Sequence, residues 1–336
     1  TIFGRQLGVI AGFRYGNSTQ YDPSANANRA SVQFDNSIGA YIPTIAKAEK
    51  RDASKETNGW SALLNMAYKL NSNNSISLLF MPNFTGVNNV YLGDEFSDSE
   101  KRTFTKSQLY EQRKQLVYQL RSEHYIPSQK IKIDFSTSYT NGRSSTPDFK
   151  NLQYQMDTTG GQVNYLIGNG IGDEIKRFFR NLDENILDSR ISLEMPIGAN
   201  INLLRKIKVG GSYQRNDQKY KQSVYKVITS NTILPDGDIE KFLDHSNFEI
   251  SNYTDINGIE RSKIDLFYSD FSGPANRTFG ESSILSGFVM TDYTLVSKLR
   301  FSGGVRIEQA KLFTDIFLFD SLGLAKDDKR RFYDSS

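Results

Sequence analysis

The chain contains no cysteine. Disulfides, cysteine-bearing zinc sites and thiol catalysis are therefore excluded, and the absence fits an oxidising envelope where a stray thiol is a liability. Histidine is almost as scarce, His124 and His245 being the only two. With no histidine pair, and with Ser, Asp and Glu at no triad spacing, no nucleophilic site can be assembled, so the expectation is a protein that is not an enzyme and needs no cofactor. No apolar run approaches the roughly 18 residues of a membrane-crossing helix, which excludes a helical membrane protein. Charge of one sign is lacking too: 41 basic and 38 acidic residues leave a net +3. No basic run tracks a phosphate backbone, so nucleic acid is not an expected partner. No signal peptide opens the chain and Thr1 is not an initiator methionine, as in a mature product or a piece of something longer.

What the 336 residues have in abundance is two-residue alternation. In KIKIDFSTSY, residues 130–139, Ile131, Ile133, Phe135, Thr137 and Tyr139 fall on one face of an extended chain and Lys132, Asp134, Ser136 and Ser138 on the other. The pattern recurs in Leu7, Val9, Ala11, Phe13 and Tyr15, and again in Trp60, Ala62, Leu64, Met66, Tyr68 and Leu70. It returns in Ile76, Leu78, Phe80, Pro82 and Phe84, and in Leu116, Tyr118 and Leu120. Ile191, Leu193, Met195 and Ile197 repeat it, as do Ile207, Val209, Gly211 and Tyr213; Leu285, Val289 and Tyr293 and then Leu299, Phe301, Val305 and Ile307 close the series. This predicts about nine strands, mostly ten or more residues long, against roughly 5 to 6 in soluble sheets. Connections alternate between tight turns (71–74, 126–129, 198–205, 295–297) and long stretches (17–59, 87–108, 143–184, 221–282). Short turns at one end and long loops at the other are the asymmetry of an outer-membrane barrel. Such a barrel has a polar interior, so a hydrophobic content of only 38% suits it.

Pairing oily residues with oily ones sets an expected register, because a one-residue slip flips every side chain. Placing His124 opposite Ile131 brings Leu120 to Phe135, Glu123 to Lys132 and Arg121 to Asp134. The next hairpin pairs Met195 with Ile207 and Glu194 with Lys208, and the last pairs Tyr293 with Leu299 and Asp292 with Arg300. These eight charged residues are expected to balance a wet, polar face. Trp60, Tyr68, Phe84, Tyr139, Tyr213 and Tyr293 lie near strand ends, where interface girdles form, and His124 is placed on the apolar side near a short turn. The fold class expected is therefore all-β, an antiparallel transmembrane barrel. Bacterial barrels close with an even number of strands, so either further strands lie inside the long stretches or the nine form a partial arc of a larger barrel, which is the reading expected. Residues 1–336 are expected to be a segment of one barrel domain, with 327–336 as loop.

Two motifs are weaker. GNGIGD at 168–173 lacks the preceding buried strand and the lysine of a phosphate loop and reads as flexible loop. Asp94, Glu95 and Asp98, and separately Asp236 and Asp238, could offer carboxylates to calcium, but neither group has the spacing of a calcium loop and solvated charge is the better reading. The stretches LYEQRKQLVYQLRSEHYIP, KIKIDFSTSYTNGRSSTPDF, RFFRNLDENILDSRISLEMPI, KIKVGGSYQRNDQKY and GFVMTDYTLVSKLRFSGGVRIE resemble the middle barrel strands of TonB-dependent outer-membrane receptors of Bacteroidota-type bacteria. The likeness runs from Gly59 to Gln309. It implies a 22-stranded barrel holding a plug domain, located in the bacterial outer membrane. Its implied partners are membrane lipid, the periplasmic energy-coupling protein TonB and a surface lipoprotein. It also implies import of a siderophore, cobalamin, glycan or peptide captured by the long loops. No plug, energy-coupling box or closing aromatic strand is present in these residues, so the resemblance covers only part of such a receptor. Two other readings compete: a passive or structural barrel (porin, adhesin or secretion scaffold), and a soluble β-sandwich binding module.

Overall fold

In the computed structural model of the protein, the residues described are 5–26, 29–97, 102–157, 163–167, 175–198, 205–229, 233–234, 238–273, 276–296, 299–316 and 332–335. Wherever the sequence alternates, the backbone is extended. Nine long strands result: β1 (Leu7–Asn26), β3 (Ala40–Asn71), β4 (Asn74–Ser97), β5 (Arg102–Ile126), β6 (Ile131–Asp157), β8 (Lys176–Pro196), β9 (Arg205–Thr229), β14 (Arg277–Val296) and β15 (Leu299–Ile316). Shorter pieces lie between them: β2 (Arg29–Asp35), β7 (Asn164–Leu166), β10 (Ile233–Leu234), β11 (Ile250–Thr254), β12 (Glu260–Ile264), β13 (Leu266–Asp270) and β16 (Phe332–Ser335). Among the described residues the helical elements are α1 (Ile239–Phe242) and a 3-10 turn at His245–Phe248.

The long strands form one antiparallel sheet in the order β1-β3-β4-β5-β6-β8-β9-β14-β15-β16. Neighbours in space are neighbours in sequence apart from the short inserted pieces, as in an up-and-down meander. Among the described residues the sheet does not close on itself, since β1 pairs only with β3. Tight turns join β3 to β4 and β5 to β6 where the sequence places them; the connections expected at 198–205 and 295–297 lie largely outside the described residues, but the strands they join, β8 with β9 and β14 with β15, pair as hairpins. In the β5–β6 turn Lys130 takes a left-handed φ of 53° and donates its N–H to the Pro127 carbonyl at 3.3 Å.

Register is right in one hairpin and two residues off in the other two. β8 and β9 pair Met195 with Ile207 and Glu194 with Lys208. β5 and β6 instead pair Ile126 with Ile131, so Leu120 faces Thr137, Glu123 faces Asp134 and Arg121 faces Ser136. β14 and β15 pair Tyr293 with Phe301 and Thr294 with Arg300. The corrected turns are tighter and add ladder pairs at the hairpin ends. A slip of two leaves every side chain on its expected face, which is why the face assignment survives the correction.

The long connections are also corrected. Most of 17–59, 87–108 and 143–184 is strand: β1 and β3 run far past their apolar parts, β4 and β5 continue to Ser97 and Arg102, and β6 reaches Asp157. Among the described residues 221–282 carries the most elaborate insertion, with α1, the 3-10 turn, the hairpin β11–β12 and β13. β13 rejoins the sheet beside β9, Tyr268 opposite Val227. Residues 332–335, expected as loop, pair with β15 as β16. The motif at 168–173 lies outside the described residues.

Buried apolar side chains among the described residues are few, namely Leu152, Ile167, Ile175, Val227 and Leu266. They cluster at the long-connection end, where Phe242, Leu243 and Phe248 from the insertion pack against them. A bulge between Thr146 and Phe149 of β6 adds one residue there. It turns Leu152 to the side on which odd-numbered residues lie lower down, and so brings it to Ile175 and Val227.

Candidate functional site

The sheet has two chemically different faces. Following the ladder pairs, most apolar residues of the long strands fall on one side, and many are exposed: Phe13 73%, Leu78 54%, Ile191 54%, Leu285 58%, Val305 70% and Ile307 74%. Five buried apolar residues cannot account for this surface, and no second layer covers it among the described residues. Soluble monomers rarely expose contiguous apolar patches beyond a few hundred Å².

The band of apolar residues does not run along the hydrogen-bond rows. Starting from Leu64 in the middle of the β3 stretch, the row passes through Phe80, Tyr118, Tyr139 and Leu187, then Arg215, Ser283 and Lys311. It begins in the centre of the band and ends beyond its edge, because the apolar part of β15 is 299–307. The band therefore slides by about one residue per strand. With a rise of about 3.3 Å and a strand spacing of about 4.8 Å, its plane crosses the strands at a tilt of roughly 35°. The aromatic rim slides with it. Trp60 and Phe84 share a row; Tyr118 and Tyr139 share one four residues lower; Tyr213 lies in the row of Leu285, lower again. Trp60 stacks on Phe84 at 4.5 Å and Phe80 on Tyr118 at 5.0 Å. Tyr68 and Tyr293 are at the opposite, short-turn edge. His124 is on the apolar face near that edge, its Nδ1 2.8 Å from Asn74 Oδ1.

The other face is polar and its charges are paired, though mostly along strands. Arg121 bonds Glu123 at 2.8 Å and Lys132 bonds Asp134 at 3.2 Å, each two residues away on its own strand. The cross-strand pairs expected there do not form, because the acids Glu123 and Asp134 face each other and each keeps its own cation. Glu194 takes Lys206 at 3.0 Å rather than Lys208 directly opposite. Asp292 and Arg300 do meet, as diagonal neighbours. Ser144 and Arg113 both donate to Glu111 on this face, at 2.6 and 2.8 Å. A cleft of about 360 Å³ runs along it past Arg14, Ser61 and Asn83.

At the long-connection end three of the four expected ligand-binding stretches meet in a cleft of about 250 Å³, with Lys106, Lys150, Arg177, Leu243 and Tyr268 in its lining. Arg177 clamps it: Nε and Nη2 donate to Asp148 at 2.9 and 2.7 Å and Nη1 donates to the Tyr268 hydroxyl at 3.0 Å. These bonds hold its guanidinium proton even more firmly than usual. Asp148 also lies 3.7 Å from Lys150, so one carboxylate is shared by two of the cations around the cleft. Nothing here pairs a nucleophile with a base.

Of the candidate calcium carboxylates, Asp94, Glu95 and Asp238 lie among the described residues and do not form a three-ligand group. Asp94 receives Arg102 Nε at 2.7 Å, and that cation holds its carboxyl below the usual range. Glu95, next in β4, belongs to the opposite face. Asp238 accepts the Lys241 N–H at 3.2 Å at the start of α1; Asp98 and Asp236 lie outside the described residues. Among the described residues no three His, Asp or Glu groups converge as metal ligands. Sequence reasoning missed the Arg177–Asp148–Tyr268 clamp, since its members are 29 and 91 residues apart and share no motif. Against protein-family models, curated proteins and solved structures, the chain has no match.

Proposed function

We propose that the chain is an arc of the wall of a bacterial outer-membrane β-barrel, and that the barrel is a nutrient importer of the TonB-dependent kind. The observation that carries the proposal is the exposed apolar band, sliding one residue per strand. Barrel strands tilt by about 35–45° from the barrel axis, and a lipid layer perpendicular to that axis marks tilted strands with just such an oblique band. The aromatic rim and the polar, charge-balanced opposite face fit lipid on one side and water or a polar plug on the other.

Strands of 18 to 32 residues exceed the roughly 9–11 needed to cross a bilayer. Their surplus at the long-connection end forms a raised wall in this reading, supporting the insertion around β13 where an external ligand would be met. Import rather than passive passage rests on the strand resemblance. It is tested in cells carrying the whole protein: accumulation of a siderophore, cobalamin, glycan or peptide ligand should cease when the inner membrane is de-energised. Uptake that persists, together with swelling of liposomes in small sugars, would assign the barrel to the passive class instead.

A further inference from the structure

Charges in this molecule pair along the strand. Nine ion pairs join residues two apart among the described residues, such as Arg51 with Glu49, Arg113 with Glu111 and Arg190 with Asp188. Two cations at the upper rim of the apolar band break this habit. Lys114 stands between Gln112 and Leu116 on its face, and Arg143 between Asn141 and Ser145, so neither has an acid two residues away. They face each other directly across β5 and β6. Like charges so placed destabilise a ladder. Arg143 has only a 3.7 Å approach to Asp183, with both side chains more than half exposed, and Lys114 has no anionic partner among the described residues.

The same row continues through Phe84 to Trp60, so the cation pair stands beside the stacked aromatic rim. All four residues line a groove of about 510 Å³ together with Gly86 and Tyr110. At Gly86 a Cβ would come within 2.8 Å of Asn58 Oδ1 and 3.3 Å of the Tyr110 hydroxyl, so glycine there lets both polar groups close in on the groove floor. The Tyr110 oxygen already accepts from Gln112 Nε2 at 3.1 Å, which leaves its own proton free to donate.

We propose that this groove binds an anionic lipid, with Lys114 and Arg143 holding the headgroup phosphate, Tyr110 donating to it, and Trp60 and Phe84 carrying the adjoining acyl chain. The proposal rests on the lipid-facing reading of the apolar band and adds a headgroup site to it. A free anion would satisfy the cations but leave the aromatic half of the groove wet; a lipid covers both, and the groove is continuous with the band below.

Trp60 is the only tryptophan of these 336 residues, so its fluorescence reports the groove once any tryptophan elsewhere in the whole protein is replaced by phenylalanine. The whole protein is reconstituted in vesicles of phosphatidylcholine in which either phosphatidylcholine or phosphatidylglycerol, at equal mole fraction, carries brominated acyl chains. Brominated phosphatidylglycerol should quench Trp60 with a relative affinity higher by roughly fivefold or more. The Lys114→Gln/Arg143→Gln double variant should bring the two lipids level, while Lys114→Arg keeps the preference. Inorganic phosphate at millimolar concentration should leave the preference intact. Equal quenching of the unsubstituted protein by both lipids would overturn the site while leaving the lipid-facing band standing. Loss of the preference in phosphate would reassign the groove to a free anion. Failure of brominated phosphatidylcholine to quench at all would overturn the lipid-facing reading, and the site with it.

Discussion

Phe135 and Ser136 are neighbours in β6 and point to opposite faces, which makes them a test of facing that leaves the backbone untouched. Phe135 lies near the middle of the apolar stretch of its strand. If it lies near the bilayer midplane, Phe135→Arg should cost about 2–4 kcal/mol, and Ser136→Arg on the polar face should be tolerated. Denaturant unfolding of the two variants in the same lipid measures the difference; equal costs would contradict the facing. The face of each of these residues was legible from alternation alone. Their partners were not. Opposite charges across the ladder are expected to fix register, whereas Arg121 and Lys132 find acids two residues along their own strands. With that in-strand pairing available, cross-strand charge carries little information about register, and turn length decides it.

At the scale of elements, two contacts hold pieces together that the sequence did not connect. Leu266 of β13 is fully buried against Val227, Ile175 and Leu152, so Leu266→Ala should destabilise the docked insertion by about 2–5 kcal/mol. Hydrogen exchange over 266–270 should speed up while exchange in β3 and β4 stays slow; unchanged protection would mean that β13 is held by its ladder bonds alone. Gly210 shows a different close approach. A Cβ there would come within 2.6 Å of the Ile191 carbonyl oxygen and 2.7 Å of the Phe288 ring, so Gly210→Val should cost about 1–3 kcal/mol through overpacking, read as a lower denaturation midpoint. The outer end of the β4–β5 hairpin has a pH signature. Arg102 depresses the Asp94 pKa, so this contact stabilises the hairpin above the ordinary carboxylate range and is lost as pH falls through the depressed folded value. Amide exchange near 94 and 102 should therefore rise on strong acidification, and Arg102→Gln should remove that dependence. The nine long strands were visible in the sequence because alternation is a local pattern, and the shorter pieces between them were not. The docking of β13 was not, since Leu266 and Leu152 are brought together only by the bulge in β6 and a long excursion of chain.

At the scale of the whole molecule, one inclined apolar band, an aromatic rim that follows it and a polar, charge-paired reverse face are arranged over nine long strands. That arrangement was only half legible beforehand. Alternation revealed the two faces, but the slide of the band requires the strand-to-strand register, which two of three hairpins had two residues off. The central claim is that the band faces lipid, and spin labelling tests it most directly, since these residues contain no cysteine and accept single labels cleanly once any cysteine elsewhere in the whole protein is replaced. Nitroxides at successive positions 131–139 of β6 and 285–293 of β14, in the whole protein reconstituted in bilayers, report collisions with oxygen and with a water-soluble nickel complex. The account predicts high oxygen and low nickel accessibility at odd positions, with nickel accessibility high or intermediate at even ones. Odd positions shielded from both reagents, as in a packed protein core, or open to nickel, as in water, would contradict it.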